Sequence, residues 1–257
     1  MSAKASGISA FVVCKNEAAN MDRCLASLSW CAEIVMVDSG STDGTIEIGS
    51  RYGARVVHRD WTGYVDQKAH GLSLCTRPWI LNLDADEEVS PELREEIQAI
   101  LRRDGDGSVT EDVFELLRVV FYLGRWWRLG GWHPEWRLRL ARRDKVTWHG
   151  EEPHEHARVS GAVSRLRGEL RHYTYCDIAD QVARMNSHTS AAARSLHAKG
   201  RRAGLADLLL KPKARFFKFY ILRKGWREGR PGFLVACMEA VSVYLKYFKL
   251  WELNRRR

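Results

Sequence analysis

Trp79-Ile80-Leu81-Asn82-Leu83-Asp84-Ala85-Asp86-Glu87 is an apolar run that stops abruptly in carboxylates. Its length and its Trp, Ile and Leu content suit a strand buried on both faces, as in a parallel sheet. Asp84 and Asp86, at alternate positions after it, offer the hard oxygen donors that Mg²⁺ or Mn²⁺ takes, with a diphosphate able to complete the shell. A solvated acidic turn would read the same way, so this turn alone is a weak signal. Ser90-Pro91 then opens a helix, with Ser as N-cap, Pro at the first helical position, and Glu92, Glu95 and Glu96 near the positive end of the dipole. The helix should stop before Asp104-Gly105-Asp106-Gly107.

Two similar strand ends lie upstream. Ile8 to Val13 is a short apolar run followed by Cys14-Lys15-Asn16-Glu17 and a helix that places Met21, Leu25 and Leu28 on one face. Glu33 to Val37 is another, followed by Asp38-Ser39-Gly40-Ser41-Thr42-Asp43-Gly44-Thr45, a helix to about Tyr52 and a strand at Ala54 to Val57. This βαβαβ order implies a parallel sheet with right-handed crossovers, and such sheets bind ligands beyond the carboxyl ends of their strands. The loop after Val37 lacks GxGxxG, and the chain has no GxxxxGK[ST], so neither a dinucleotide fingerprint nor a P-loop is present. Gly40 lets backbone approach a ligand closely. The plainer alternative is that Asp38 and Asp43 only cap the next helix. Three acidic strand ends in succession are a stronger signal than any one of them.

The 257 residues are 45% hydrophobic and 28% charged with 6 Pro, which suits one or two domains with a real core and excludes disordered and low-complexity classes. No run of 18 apolar residues occurs, and Met1 to Gly7 lacks the apolar core of a secretory leader. Six cysteines without a CxxC pair suit buried thiols in a reducing compartment, so a cytoplasmic location is expected. The net charge of +9 divides into −3 over residues 1–172 and +12 over residues 173–257. A near-neutral domain, residues 1–172, should therefore precede a basic extension, residues 173–257. Longer strands are expected at Val113 to Phe121 and Trp136 to Leu140, and the helical period takes over from Tyr173. Residues 211–230 hold eight Lys and Arg against one Glu, interleaved with aromatics such as Phe216, Phe219 and Trp226. That composition suits an anionic membrane interface or a nucleic acid, or simply helices with a basic outer face.

These motifs together resemble the inverting, nucleotide-sugar-dependent glycosyltransferases of family 2. The resemblance rests on Val12 to Glu17, Asp38 to Thr45 and Trp79 to Glu87. Gly131-Trp132-His133-Pro134-Glu135, Arg137 to Leu140 and Pro153-His154-Glu155 narrow it to the bacterial branch that builds lipopolysaccharide core. It implies an α/β fold of the GT-A type, Rossmann-like, with a mostly parallel sheet flanked by helices, here with a C-terminal helical basic extension. It implies a UDP-sugar donor, with Glu17 and Asp38 at the uracil and ribose, Asn16, Gly40 and Asp43 in the same donor loops, and Gln67 and Lys68 as a polar pair nearby. Asp84 and Asp86 match the DxD motif, Asp86 being the direct ligand of a divalent cation, Mg²⁺ or Mn²⁺. Glu155 matches the general base.

Around Glu155 the sequence departs from the pattern. His149-Gly150-Glu151-Glu152-Pro153-His154-Glu155-His156 is unusually rich in His and Glu, and its spacing is not HExxH, which argues against zinc. In an extended segment Glu155 would point away from His154 and His156, so Glu152 competes for the role and Glu135 stands in reserve. Arg137 and Arg139 share a strand face and are candidates for a diphosphate or phosphorylated acceptor, and Trp132 for stacking on a sugar; a solvated basic face and core packing are the plainer readings. The expected reaction is transfer of a hexose, foremost glucose from UDP-glucose, to a lipopolysaccharide core or other lipid-linked saccharide at the inner face of the cytoplasmic membrane. Transfer to a polyprenyl phosphate or a protein is the rival acceptor reading. A nucleic-acid-binding protein with structural acidic caps is the rival class, although no nucleic-acid partner is expected.

Overall fold

The computed structural model describes residues 5–150 and 156–255. In chain order the elements of the first part are β1 (Ala5–Cys14), α1 (Ala18–Leu28), β2 (Cys31–Asp38), α2 (Thr45–Arg51), β3 (Arg55–His58), α3 (Tyr64–Leu74), β4 (Trp79–Asp84), β5 (Glu87–Val89) and α4 (Pro91–Gly105). The strands β6 (Val113–Tyr122), β7 (Arg125–Trp127), β8 (Glu135–Arg142), β9 (Val146–His149), β10 (His156–Val159) and β11 (Val163–His172) follow, and then the helices α5 (Ile178–Ala198), α6 (Leu205–Phe217) and α7 (Gly229–Arg255). Two compact units result: Met1–Arg118 with Glu135–His172, and Val119–Pro134 with Tyr173–Arg257. The second unit thus takes in Val119–Pro134 as well as the basic region.

The main sheet of the first unit runs β3-β2-β1-β4-β8-β6-β11-β5. The four strands from β3 to β4 are parallel. From β8 outward the characterised pairs, β4 with β8, β8 with β6, and β11 with β5, are antiparallel. Alternation along each strand sends side chains to two cores. Ala10, Val12, Ile34, Met36, Leu81 and Leu83 join Met21, Leu25, Leu28, Leu93 and Ile97 from α1 and α4. Phe11, Val35, Val37 and Ile80 face the other way, onto Cys75, Val113, Ala141 and Val146. Because both faces are covered, these strands carry no polar alternation and stand out in the sequence. Ser9 within β1 and Asn82 within β4 are buried polar exceptions, and the Asn82 amide serves the site described below.

Helix α1 buries Met21, Cys24, Leu25 and Leu28, the spacing of one helical face. Helix α4 starts as expected: the Ser90 side chain accepts a 3.2 Å bond from Leu93 N, and Pro91 occupies the first turn. It continues to Gly105, slightly past the expected stop, with Arg102 and Arg103 at the negative end of its dipole. Gly168 of β11 lies so close to α4 that a Cβ there would overlap the Leu93 backbone. Gly168→Ala is therefore expected to cost about 1–3 kcal/mol in chemical denaturation, because backbone cannot yield as a side chain can.

In the second unit β7 pairs with the last residues of β6, and α5 and α6 both pack against α7. Val120, Tyr122, Trp127, Phe219, Val235 and Ala236 form one small core, and Ala193, Tyr247 and Leu250 another. No helix among the described residues is long and apolar enough to cross a membrane.

Candidate active site

The parallel strands β1, β2 and β4 end side by side: Cys14 is in register with Asp38, and Val13 with Asp84. The loops after β1 and β2 are tied together. Asn16, at φ 55°, accepts a 2.8 Å bond from Thr42 N and gives its own N–H to Ser41 Oγ at 2.9 Å. Glu17 N–H donates to Thr45 Oγ1 at 2.8 Å, and the Glu17 carboxylate accepts from Asn20 at 3.0 Å. Asp38 is buried and turns onto its own loop, accepting from Gly40 N at 2.9 Å, Ser41 N at 3.0 Å and the Ser41 hydroxyl. Gly40 sits at φ 84°, where a side chain would be strained. Asp43 accepts from Ala18 N at 3.1 Å and Thr45 N at 3.0 Å, the bonds of a residue that organises two helix starts.

At the end of β4 lies a dense charge network. Glu87 is fully buried; its Oε2 accepts from Asp84 N at 3.0 Å and its Oε1 from Arg139 at 2.7 Å, with Arg118 at 3.5 Å. Arg139, only 5% exposed, also donates to Asn82 Oδ1 at 3.2 Å and to the Asp84 carboxylate. Lys68 Nζ stands 3.4 Å from the second oxygen of Asp84, with its ammonium 5.0 Å from the Trp148 ring centre. Burial alone would raise the Asp84 carboxyl, but Arg139 first and Lys68 next outweigh it and hold the group well below the usual carboxylate range. Glu135 is pushed up by burial and pulled down further by Arg118, which grips it at 2.8 and 2.9 Å, and by Arg137 at 2.6 Å.

Both carboxyls are thus lowered in the folded chain, so the stability they confer is complete above their ordinary values and is lost as pH falls toward the folded ones. Urea midpoints are expected to drop between about pH 5 and pH 3. Substituting Asp84 by Asn should flatten that drop.

Asp86 points elsewhere, with a carboxylate oxygen 3.2 Å from His172 Nε2. The β5–β11 ladder brings His172 there by pairing it with Glu87. A carboxylate and an imidazole are a sound pair of donors for a divalent cation, and no larger cluster of His, Cys, Asp and Glu forms among the described residues. Such an ion would draw its other ligands from a bound diphosphate and water. The buried Ser39 Oγ, Gln67 Oε1 and Trp148 Nε1 have no hydrogen-bond partner among the described residues. Polar atoms left that way are costly, and a ligand is one thing that satisfies them. The donor set therefore fits a metal-bound diphosphate.

The structure gives several of the expected site residues partners within the protein. Arg139, expected to meet a phosphate or acceptor, is instead locked inside the protein on Asp84, Glu87 and Asn82. Asp84, expected as a second metal ligand, directs its two oxygens at Lys68 and Arg139. Trp132 packs among Tyr122, Trp127, Tyr175 and Phe219, its indole N–H bonded to Glu239 at 3.0 Å, which is core packing of the second unit. Glu135 is held charged by two guanidiniums, which lower its affinity for a proton. Arg137 remains half-exposed beside it. Glu152 and Glu155 lie outside the described residues. Glu87, Arg118 and His172 carry no signal of their own in the sequence: Glu87 stands in the acidic turn without a visible role, and the other two lie in ordinary strand sequence. A cavity of about 450 Å³ between α1, β5 and α4, lined by Arg23, Ser27, Glu88 and Arg94, holds none of these residues.

A sheet whose parallel strands end on paired loops and an Asp-Ala-Asp turn is the arrangement of the GT-A glycosyltransferases, and the fold and the site place the chain in that class. The family described as Glycosyl transferase family 2 matches residues 9–157, more than half of the sequence, and the chain belongs to it. The lipopolysaccharide core biosynthesis glycosyltransferase LpsC of Rhizobium meliloti (strain 1021) is 31% identical over 95% of this chain and 92% of its own. An uncharacterized glycosyltransferase of Rickettsia felis is 30% identical over 95% of this chain and 89% of its own. Among solved structures, S. aureus TarS 1–349 aligns over 97% of this chain and 91% of that one, at 14% identity and a TM-score of 0.49.

Proposed function

We propose that this glycosyltransferase is an inverting hexosyltransferase that moves glucose from UDP-glucose to a saccharide of lipopolysaccharide core. The observation that carries the reading is the juxtaposition of Asp86 and His172 beside the Asp84–Lys68–Arg139 network at the carboxyl end of β4. The likeness to LpsC along nearly the whole chain supports the acceptor class. Glu17 and the loop of Asp38 to Ser41 hold the nucleoside, with Asn16 and Asp43 fixing their conformation. Gln67 and Lys68 face the donor from the buried side of α3.

Asp86 and His172 would hold a divalent cation, which would supply positive charge against the departing diphosphate. Lys68, Arg118, Arg137 and Arg139 stand against Asp84, Asp86, Glu87 and Glu135, so the network is balanced and admits a metal-complexed diphosphate with little net charge. Arg139 acts as a positioning residue that fixes Asp84. Glu155, with Glu152 as its competitor, takes the proton of the acceptor hydroxyl while that oxygen attacks the anomeric carbon opposite the leaving UDP. Residues 1–172 then form the catalytic domain, and residues 173–257 an extension that meets the membrane carrying the acceptor.

The test is product analysis with UDP-glucose and truncated lipopolysaccharide core. A β-linked glucoside from the α-linked donor supports the proposal. An α-linked product would refute inversion, and transfer only to polyprenyl phosphate or protein would refute the acceptor.

A further inference from the structure

Helix α6 is amphipathic in the wrong sense for water. On the side packed against α7 it carries ion pairs and polar bonds: Lys211 with Asp207 and, at 2.8 Å, the Tyr247 hydroxyl, and Arg215 with Glu239 at 2.7 Å. Leu208, the buried Pro212 and Phe216, whose ring meets Phe233, bring the apolar packing there. The outward side is apolar. Leu205 is 76% exposed, Leu210 63%, Leu209 54% and Phe217 53%, and beyond the helix Leu222 and Trp226 are exposed as well, at 64% and 53%. At about 100° per residue, Leu205, Leu209, Leu210 and Phe217 fall on one side of the helix, with Lys213 among them. Lys213, Lys218, Arg223, Lys224 and Arg227 are all exposed, and residues 208–227 contain no acidic residue. Soluble proteins rarely leave so many large apolar side chains of one segment to water.

We infer that this face, from Leu205 of α6 through Trp226, is the docking surface for an anionic lipid bilayer, with α6 lying in the plane of the headgroups. The inference rests on the reading that the acceptor is lipid-linked, and it names the residues that meet the lipid. Charge complementarity decides the occupant: aliphatic side chains enter the acyl boundary while the surrounding cations meet anionic headgroups. Exposed leucines do nothing for a nucleic acid, which binds through phosphate contacts and base stacking on aromatics. In a two-fold dimer the same cations would face one another across the interface.

The test is flotation of the full chain with phosphatidylcholine vesicles, with and without phosphatidylglycerol, at low and high salt. UDP binding is measured in parallel by calorimetry. The chain is expected to float with the anionic vesicles, less so at high salt, and weakly with neutral ones. The triple variant Leu209→Ser, Leu210→Ser, Phe217→Ser should lose about tenfold or more in partitioning, since each removed CH₂ weakens interfacial binding. Its thermal unfolding should match the wild type, because all three side chains are exposed. Replacing Lys218, Arg223 and Lys224 by Gln should abolish the preference for anionic lipid.

Undiminished flotation of the Ser variant would overturn the inference. So would failure of the wild type to float, whether the chain then proves to be a dimer, whose patch a second copy covers, or a salt-sensitive RNA binder. UDP binding without flotation leaves the donor reading intact and refutes only the docking surface. Flotation without UDP binding does the reverse.

Discussion

Asp86→Asn is expected to lower kcat/KM for sugar transfer by about 10²–10³-fold, the scale seen when one preorganised electrostatic group is lost from a reacting centre. The amide keeps the size of the carboxylate and loses its charge. Among the described residues no Lys or Arg pairs with Asp86, and its carboxylate meets His172 Nε2 at 3.2 Å. His172→Asn should give the same kind of defect in milder form. The discriminating readout is the metal dependence of UDP affinity. Wild type should bind more tightly with Mn²⁺ than with EDTA, and the variant should bind equally weakly with either. If the Asp86–His172 pair were only structural, unfolding would shift while turnover and metal dependence stayed as they are.

Arg139→Ala is expected to destabilise the fold by about 3–5 kcal/mol, the cost of leaving a buried charge without its partner. Glu87 has no access to water, and its main cation is Arg139, with Arg118 farther off at 3.5 Å. Asp84 and Asn82 lose a donor in the same step. Replacing Arg139 and Glu87 together by Met should recover much of that loss, because the unpaired carboxylate goes too. Denaturant titration reads both variants. A loss under about 1 kcal/mol for Arg139→Ala would mean that water reaches Glu87 and relieves it.

The contrast between these residues tracks what a sequence can reveal. β1, β2 and β4 are legible because they are buried on both faces, and α1 and α4 because their apolar residues recur at helical spacing. Helix α3 has no such signature, since its buried face is Gln67, Lys68 and Gly71; a polar buried face serves a site, and hydrophobic periodicity cannot see it. β5 is three residues long, below what a pattern can resolve. β11 does alternate, burying Leu166, Gly168, Leu170 and His172 between exposed or half-exposed neighbours, but its arginines blur the pattern. The acidic turn at Asp84 to Glu87 announces chemistry without dividing it. Arg139 is 55 residues from Asp84, and that long-range pairing is what turns Asp84 inward while Asp86 faces His172. Trp132 shows the converse: a tryptophan in a loop reads as a sugar platform, yet it is half-buried against four aromatic neighbours.

The most direct measurement is calorimetric titration of the wild-type chain with UDP, UDP-glucose and other UDP-sugars, in Mn²⁺ and in EDTA. Saturable, metal-dependent binding of UDP, with UDP-glucose preferred among the sugars, is the predicted result. Absence of UDP binding under every condition would contradict the assignment of Glu17, Asp38 and Asp86 to a UDP-sugar donor.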